Sequence, residues 1–233
     1  MSMIGKKIGA VLAAVVLASV PLVGCGANSD TGSAVISQVE AVVRDATTPD
    51  GALMTKLDAL VAGDISTMDI GSADVIKQLE GSGISEAQME ELATVFYGQN
   101  KYEVDNVTTV SDTQAQITVS GQVLNLSEFM PDVMNDYVTT LTEYVSNNPD
   151  AQNMTQEELT KRMLDMLVDA AKEKRTSAQL KQVRETVLME QKDGVWEVSS
   201  TDENTTKAVI QLTMGSTQEE LEQKLTSLYG SLS

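Results

Sequence analysis

The chain has 233 residues, of which 34 are acidic and 16 basic, and it contains one cysteine and no histidine. The absence of histidine excludes Ser-His-Asp and Cys-His nucleophilic systems and zinc sites built on imidazole. A lone cysteine excludes a disulfide within the chain. The formal net charge of −18 repels nucleic acid phosphates and anionic lipid headgroups. We therefore expect no nucleic acid partner, no metal site and no cofactor.

The first residues of the chain have the features of a secretory signal. Lys6 and Lys7 precede an apolar run from Ile8 to Val20, and Pro21 follows it. The run is about a dozen residues long, whereas a helix that spans the hydrocarbon core needs roughly 20. The pattern predicts a cleaved signal segment over 1–24 rather than a transmembrane helix.

The four residues Leu22-Val23-Gly24-Cys25 resemble the lipobox of bacterial lipoproteins. In that family a diacylglyceryl group is attached to the cysteine sulfur, and the signal is cut just before this residue. The resemblance implies lipidation of Cys25, a lipidated tether over 25–33 and a location on the extracytoplasmic face of the cell membrane. Two acyl chains hold a protein at a bilayer much longer than one chain does.

Apolar residues at helical spacing predict two helices after the tether. The second of these starts at Thr48-Pro49, with proline in its first turn, and ends at Gly63. A short helical piece is expected from Asp64 to Met68. The apolar faces are Val35, Val39, Val42 and Val43 in the first helix, and Leu53, Leu57, Leu60 and Val61 in the second.

A further helix is expected behind the capping-box pattern of Ser85 and Gln88. Its apolar residues recur at positions i, i+3, i+4, i+7 and i+8, which is the spacing of one buried helix face. Gly98 ends it. The stripe consists of Met89, Leu92, Ala93, Phe96 and Tyr97.

The pattern then changes to the alternation that is typical of strands. Tyr102 and Val104 alternate with charged residues, and the alternation slips near Asp105-Asn106, which indicates a β-bulge. A second run has its apolar positions at Ala115, Ile117 and Val119. The two runs predict two strands with one buried face each.

Two long amphipathic helices are expected next. The first ends at Asn147-Asn148-Pro149, and the second begins with a capping box of Thr155 and Glu158. Basic residues near the end of the second helix favour the negative end of its dipole. The apolar stripes are Met130, Val133, Met134, Tyr137, Val138, Leu141 and Tyr144 in the first, and Leu159, Met163, Met166, Leu167 and Ala170 in the second.

A hairpin follows, with strands over Val183 to Glu190 and Val195 to Val198. Lys192-Asp193-Gly194 supplies its turn, since Asp-Gly is a strong hairpin signal. The end of the chain is predicted to be helical behind a cap at Thr217. The apolar residues of this last helix are Leu221, Leu225 and Leu228.

These elements predict an α+β fold in which helices pack on a small, curved, mainly antiparallel sheet. Two long helices are inserted between the strands, and a helical tail closes the chain. We expect one binding-type domain over 34–200 and the helical tail over 201–233.

Two stretches resemble small extracytoplasmic lipoproteins with domains like nuclear transport factor two. Residues 57–65 (LDALVAGDI) are similar to the opening helix of that group, and residues 193–198 (DGVWEV) are similar to its closing strand. The resemblance covers roughly 49–200, and the two inserted helices depart from the pattern. It implies a cone-shaped fold that often encloses a pocket. Such a pocket would be lined by Tyr97, Phe129 and Trp196, which equally suit a plain core.

No pair of carboxylates is singled out by spacing, so we do not expect an enzyme. The sequence favours a binding or accessory protein, held at the membrane through Cys25, with a protein partner or a small ligand. A transporter's solute-binding subunit is a variant of this role. The alternative from another class is an acid-residue hydrolase acting on cell-envelope glycans. A third class, an assembly factor without a pocket, would be favoured by exposure of the Met130 stripe.

Overall fold

The computed structural model describes residues 44–64, 86–149 and 154–232. The signal segment, Cys25, the helix expected around Val39, the piece from Asp64 to Met68 (apart from Asp64 itself) and the cap at Ser85 lie outside the described residues. The elements along the chain are helices α1 (Pro49–Ala62) and α2 (Glu86–Tyr97), strands β1 (Lys101–Ser111) and β2 (Gln114–Leu124), helices α3 (Leu126–Asn147) and α4 (Gln156–Arg175), strands β3 (Leu180–Lys192) and β4 (Val195–Val198), and helices α5 (Glu203–Met214) and α6 (Gln218–Leu232).

The strands form an antiparallel sheet in the order β1-β2-β3-β4, which confirms the predicted α+β class. Helices α3 and α4 are inserted between β2 and β3, as expected. The two central strands pair in an unbroken register from Gln114 opposite Glu190 to Leu124 opposite Leu180. The sheet therefore depends on a pairing between strands that are far apart in the sequence.

Local signals in the sequence set the helix ends. The Thr48 hydroxyl accepts a hydrogen bond from the Gly51 N–H at 3.2 Å, and Gly63 ends α1 with a φ of 75°. The capping box of α4 is complete, because the Thr155 hydroxyl accepts from the Glu158 N–H while the Glu158 carboxylate accepts from the Thr155 N–H. These predicted starts and stops are confirmed.

The turns and irregularities of the sheet also follow local rules. The register of β1 against β2 shifts between Val104 and Asn106, where the bulge was predicted. Asp193 and Gly194 have φ values of 53° and 85°, and two positive φ values are what the tight hairpin turn requires. The predicted hairpin is confirmed, and its first strand extends from Leu180 to Lys192.

The buried side chains divide into two hydrophobic clusters. One fills the layer of α2, α3 and α4, and the other lies between the sheet, α1 and α5. Helix α5 contributes to both, with Val209 and Leu212 in the second cluster and Ile210 and Met214 in the first. This helix lies in the stretch predicted as a tail after residue 200, and it is packed into the core. The Met130 stripe is not exposed: five of its seven residues are buried, with Met130 at 3% exposure, and Val138 and Tyr144 are partly buried.

The C-terminal end of α5 approaches the junction of β2 and α3 very closely. Gly215 ends the helix with a φ of 63°, and a Cβ atom there would lie 2.6 Å from the main-chain oxygen of Leu124. Only glycine satisfies both the backbone conformation and the approach.

We expect Gly215→Ala to destabilise the fold more than Gly194→Ala does. Both glycines have positive φ, so each alanine costs about 1–2 kcal/mol of backbone strain. Nothing lies within 4 Å of a Cβ at Gly194, whereas at Gly215 the clash with Leu124 adds about 1–3 kcal/mol. Urea unfolding of the two variants measures this difference, and equal losses would contradict the close approach.

A candidate ligand groove beside strand β3

Strand β3 has a partner strand along only part of its second edge. Strand β4 pairs with Met189 to Lys192 and no further. Beyond it, the Leu188 N–H donates to the Thr205 hydroxyl at 3.0 Å, and the Leu188 carbonyl accepts from Ser199 N–H at 2.9 Å. The main-chain groups of Leu188 therefore point away from β2.

The direction of main-chain groups alternates along an antiparallel strand. Since the register between β2 and β3 is unbroken, the N–H and C=O groups of Thr186 and Arg184 also point away from β2. In the part of the chain that the structure describes, no strand lies on that side of them. We call this stretch the free edge of β3.

Helix α5 runs beside the free edge and forms an open groove with it, which we call the β3–α5 groove. Its volume is about 910 Å³. One side of the groove is the edge of β3 from Arg184 to Thr186. Thr217 and Glu219, at the start of α6, also line it. The opposite side is a stripe at helical spacing, which consists of Glu203, Thr206, Lys207, Ile210 and Gln211.

Both ends of α5 are tied to β3. At the N-terminal end Asp202 caps the helix and accepts from the Thr205 N–H at 2.8 Å, and the Thr205 hydroxyl in turn holds Leu188. The hydrogen bonds from the Thr205 hydroxyl and N–H lower the pKa of Asp202. At the other end, the Lys181 ammonium donates to the Gly215 carbonyl at 2.9 Å. The groove therefore lies between two fixed points.

Glu185 is the unusual residue of the groove. It occupies the same face of β3 as the buried Val183 and Val187, where an apolar residue would continue the pattern. Partial burial raises the pKa of the Glu185 carboxyl, and the nearby Lys181 ammonium opposes part of that rise. Among the described residues, Glu185 has neither a hydrogen bond nor an ion pair. A partly buried carboxylate that accepts no hydrogen bond is more common at functional sites than elsewhere.

Only some of the other charged side chains in the groove form ion pairs. The Arg184 guanidinium donates to the Asp105 carboxylate at 2.6 Å on the outer face of the sheet. Three carboxylates, those of Glu185, Glu203 and Glu219, line the groove with the cation Lys207. Lys181 lies near Glu185, and its ammonium donates to the Gly215 carbonyl. The groove is negative, with an apolar contribution from α5.

Two further cavities are less suited to ligand binding. The cavity of about 400 Å³ between α3 and α4 is lined by groups that already interact, such as Asp136 with Lys174 and Tyr144 with Arg162. The cavity of about 710 Å³ at the start of α3 has acidic and basic residues in similar number. The half-buried carboxylate of the first cavity, Asp136, is already paired, and the carboxylates of the second, Glu128 and Glu220, are exposed.

The aromatic residues that the sequence suggested for a pocket are not all brought together. Tyr97 and Phe129 are buried in the helical cluster, on either side of Phe96, whose ring contacts both edge to face. Trp196 lies on β4 and packs against the other cluster. None of the three lines the β3–α5 groove. Burial raises the pKa of the Tyr97 hydroxyl well above its usual range.

Sequence reasoning did not single out Glu185, Lys207 or Gln211. The signal for Glu185 was present, because it interrupts the alternation of Val183, Val187 and Met189 with a charge. No comparable signal marks Lys207 and Gln211. They become groove residues only through the position of α5.

Comparison with known proteins does not assign the chain to a family. No protein-family model and no curated protein matches the chain. The crystal structure of ycdA from Bacillus subtilis subsp. subtilis strain 168, a protein assigned as a lipoprotein, is similar with a TM-score of 0.44 and 15% identity. The match covers 72% of this chain and 55% of ycdA, so it spans about half of that protein. Identity this low does not transfer a function.

Within residues 44–64, 86–149 and 154–232, no helix has both the length and the apolar character to cross a membrane.

We expect Glu185→Gln to stabilise the protein increasingly as pH rises. Below the usual glutamate pKa, near 4.5, Glu185 is protonated in both the folded and unfolded chain and contributes nothing. As pH rises through the raised folded-state pKa, the unfolded chain releases its proton first, so the wild type loses stability. The glutamine variant lacks this loss.

Urea unfolding at pH 4 and pH 7 measures the change. The control is Glu103→Gln, which removes an exposed carboxylate on β1 of the same sheet. A stability difference between Glu185→Gln and wild type that is the same at both pH values would contradict the partial burial of Glu185.

Proposed function

We propose that this chain is a lipid-anchored extracytoplasmic binding protein that holds its ligand in the β3–α5 groove. The observation that carries the proposal is the groove itself, an open volume of about 910 Å³ beside the partly buried carboxylate of Glu185, which accepts no hydrogen bond from the described residues. Ligand sites are typically concave and combine apolar surface with a few polar groups. The lipobox-like Leu22 to Cys25 supplies the anchor.

The rigid surroundings of the groove favour binding over a merely structural role. Helix α5 is fixed to β3 at Leu188 and at Lys181, and its inner face is buried in the core. A site between fixed elements loses little conformational entropy when a ligand enters. The negative groove charge favours a ligand that is not itself acidic.

One observation favours the alternative of an acid-residue hydrolase acting on cell-envelope glycans. A glutamic acid whose pKa is raised by burial suits the general acid of glycoside cleavage, and Glu203 and Glu219 line the same groove. Release of new reducing ends from envelope glycan, abolished by Glu185→Gln in a folded protein, would identify this activity. The aromatic platforms that sugars stack on are absent from the residues that line the groove.

We expect Cys25→Ser to move the protein out of the membrane fraction or to block its processing. The anchor depends on the sulfur, and each acyl methylene contributes about 0.8 kcal/mol of membrane affinity. Fractionation of cells followed by mass spectrometry of the N-terminus measures both outcomes. Full-length Cys25→Ser protein that still sediments with membranes and carries fatty acid would contradict the anchor.

We expect Gln211→Trp to abolish ligand binding without unfolding the protein. Gln211 is half-buried on the groove side of α5, so an indole there fills the groove. The matched control is Gln116→Trp, on the exposed outer face of β2. An extract of cell envelopes is added to each purified protein, and the thermal unfolding midpoint is recorded.

The extract should raise the midpoint of the wild type and of Gln116→Trp, and should leave that of Gln211→Trp unchanged. An equal rise in all three proteins, or in none, would contradict ligand binding in the β3–α5 groove. Lys207→Trp, at an exposed position of the same stripe, replaces Gln211→Trp if that variant fails to fold.

A further inference from the structure

We infer that the β3–α5 groove takes an extended polypeptide segment, which pairs with the free edge of β3 as an additional strand and places a basic side chain beside Glu185. This inference rests on the proposed binding role and names the chemical class of the ligand. It follows from three properties of the groove: its main-chain groups, its length and its charge.

The main-chain groups provide a template for a strand. The N–H and C=O groups of Arg184 and Thr186 point into the groove, by the alternation that Leu188 fixes. Strand β4 already occupies the same side of β3 from Met189 onwards, so a segment in the groove would continue the sheet in line with β4. Extended peptides bind in this way between a strand edge and a helix, with affinity from main-chain hydrogen bonds.

The length of the free edge sets the length of the segment. The edge is closed at one end by the bonds of Leu188 to Thr205 and Ser199, and at the other by the Lys181–Gly215 bond. At roughly 3.4 Å per residue in both strands, the stretch between these ends admits about six residues of extended chain. The stripe on α5 then offers Ile210 and Gln211 to the side chains of the segment.

The charge of the groove selects the side chains. Three carboxylates, those of Glu185, Glu203 and Glu219, line the groove with Lys207. Among the described residues Glu185 has no hydrogen bond or ion pair, and the nearby Lys181 ammonium donates to the Gly215 carbonyl instead. A basic side chain on the inward face of the added strand would pair with Glu185 across the two strands. An acidic segment is disfavoured, and so is a second copy of this chain, whose net charge is −18.

The first experiment selects peptides directly. Random ten-residue peptides displayed on phage are panned against the wild-type protein at physiological salt, with Gln211→Trp protein as the competitor that removes binders to other surfaces. We expect enriched sequences with a Lys or Arg at one fixed position and no acidic residue beside it. Synthetic versions are then titrated into each variant by calorimetry.

Three readouts test the binding mode. Gln116→Trp should bind like the wild type, Gln211→Trp should not bind, and Glu185→Gln should bind about tenfold or more weakly, because it loses one charged hydrogen bond. Methylation of alternate peptide nitrogens should abolish binding, because it removes the donors of a strand. The amides of Arg184 and Thr186 should exchange with solvent rapidly in the free protein and slowly in the complex.

Several outcomes would overturn the inference. These are equal binding to Gln211→Trp, equal binding of N-methylated peptides, enriched peptides without a basic residue, unchanged exchange of the Arg184 and Thr186 amides, or no enrichment at all. A wild-type dimer that Gln211→Trp dissociates would assign the groove to a second copy and would overturn it as well.

The envelope-extract experiment separates this failure from failure of the proposed function. If the extract stabilises the wild type and not Gln211→Trp while no peptide is enriched, the groove binds a ligand of another class. The binding role then stands and the polypeptide ligand is wrong. If the extract and the peptides both leave the wild type unchanged, both proposals fail.

Discussion

The buried side-chain amide of Asn100 is the centre of a hydrogen-bond network that joins strands β1 and β2 to helix α5. The Asn100 side chain, 3% exposed, donates to the Tyr102 hydroxyl at 3.2 Å and accepts from the Leu124 N–H at 3.0 Å. The Tyr102 hydroxyl donates onward to the Leu212 carbonyl at 2.9 Å. The start of β1, the end of β2 and the last turn of α5 are thus joined at one point. Because a buried polar group left unpaired is costly, this network permits one arrangement of the three elements.

The position of α5 follows from that junction, and the groove follows from the position of α5. Gly215 lets the end of the helix rest against Leu124, and Lys181 and Thr205 attach the two ends of α5 to β3. A helix held in this way covers the inner face beside β3 without closing over its edge. The width of the groove is therefore a property of the core packing and does not depend on a ligand.

The features that the sequence predicted depend on neighbouring residues, whereas the features that it did not predict depend on contacts between distant parts of the chain. Thr48, Gly63 and the Asp193-Gly194 turn act on their immediate neighbours, so their effects were readable from a few residues each. The free edge of β3 depends on which strand pairs with which across the two inserted helices, and no local pattern encodes that. Glu185 is an intermediate case: its charge breaks a visible alternation, but its partial burial without a hydrogen bond is evident only in three dimensions. The same holds for Trp196, whose cluster is decided by the sheet order.

An unpaired strand edge is ordinarily a risk of aggregation, and the two edges of this sheet are managed differently. Strand β1 exposes Val107 and Val110 on the outer edge, and register shifts before Val107 and at Val110 disturb its regular pairing surface. The free edge of β3 is regular, which suits pairing, but α5 lies beside it. The helix leaves no room for another sheet to pair with this edge, whereas a single extended chain fits along the groove. In the binding mode that we propose, Glu185 adds a charge requirement to this steric one, so the edge would accept a basic extended segment and disfavour indiscriminate association.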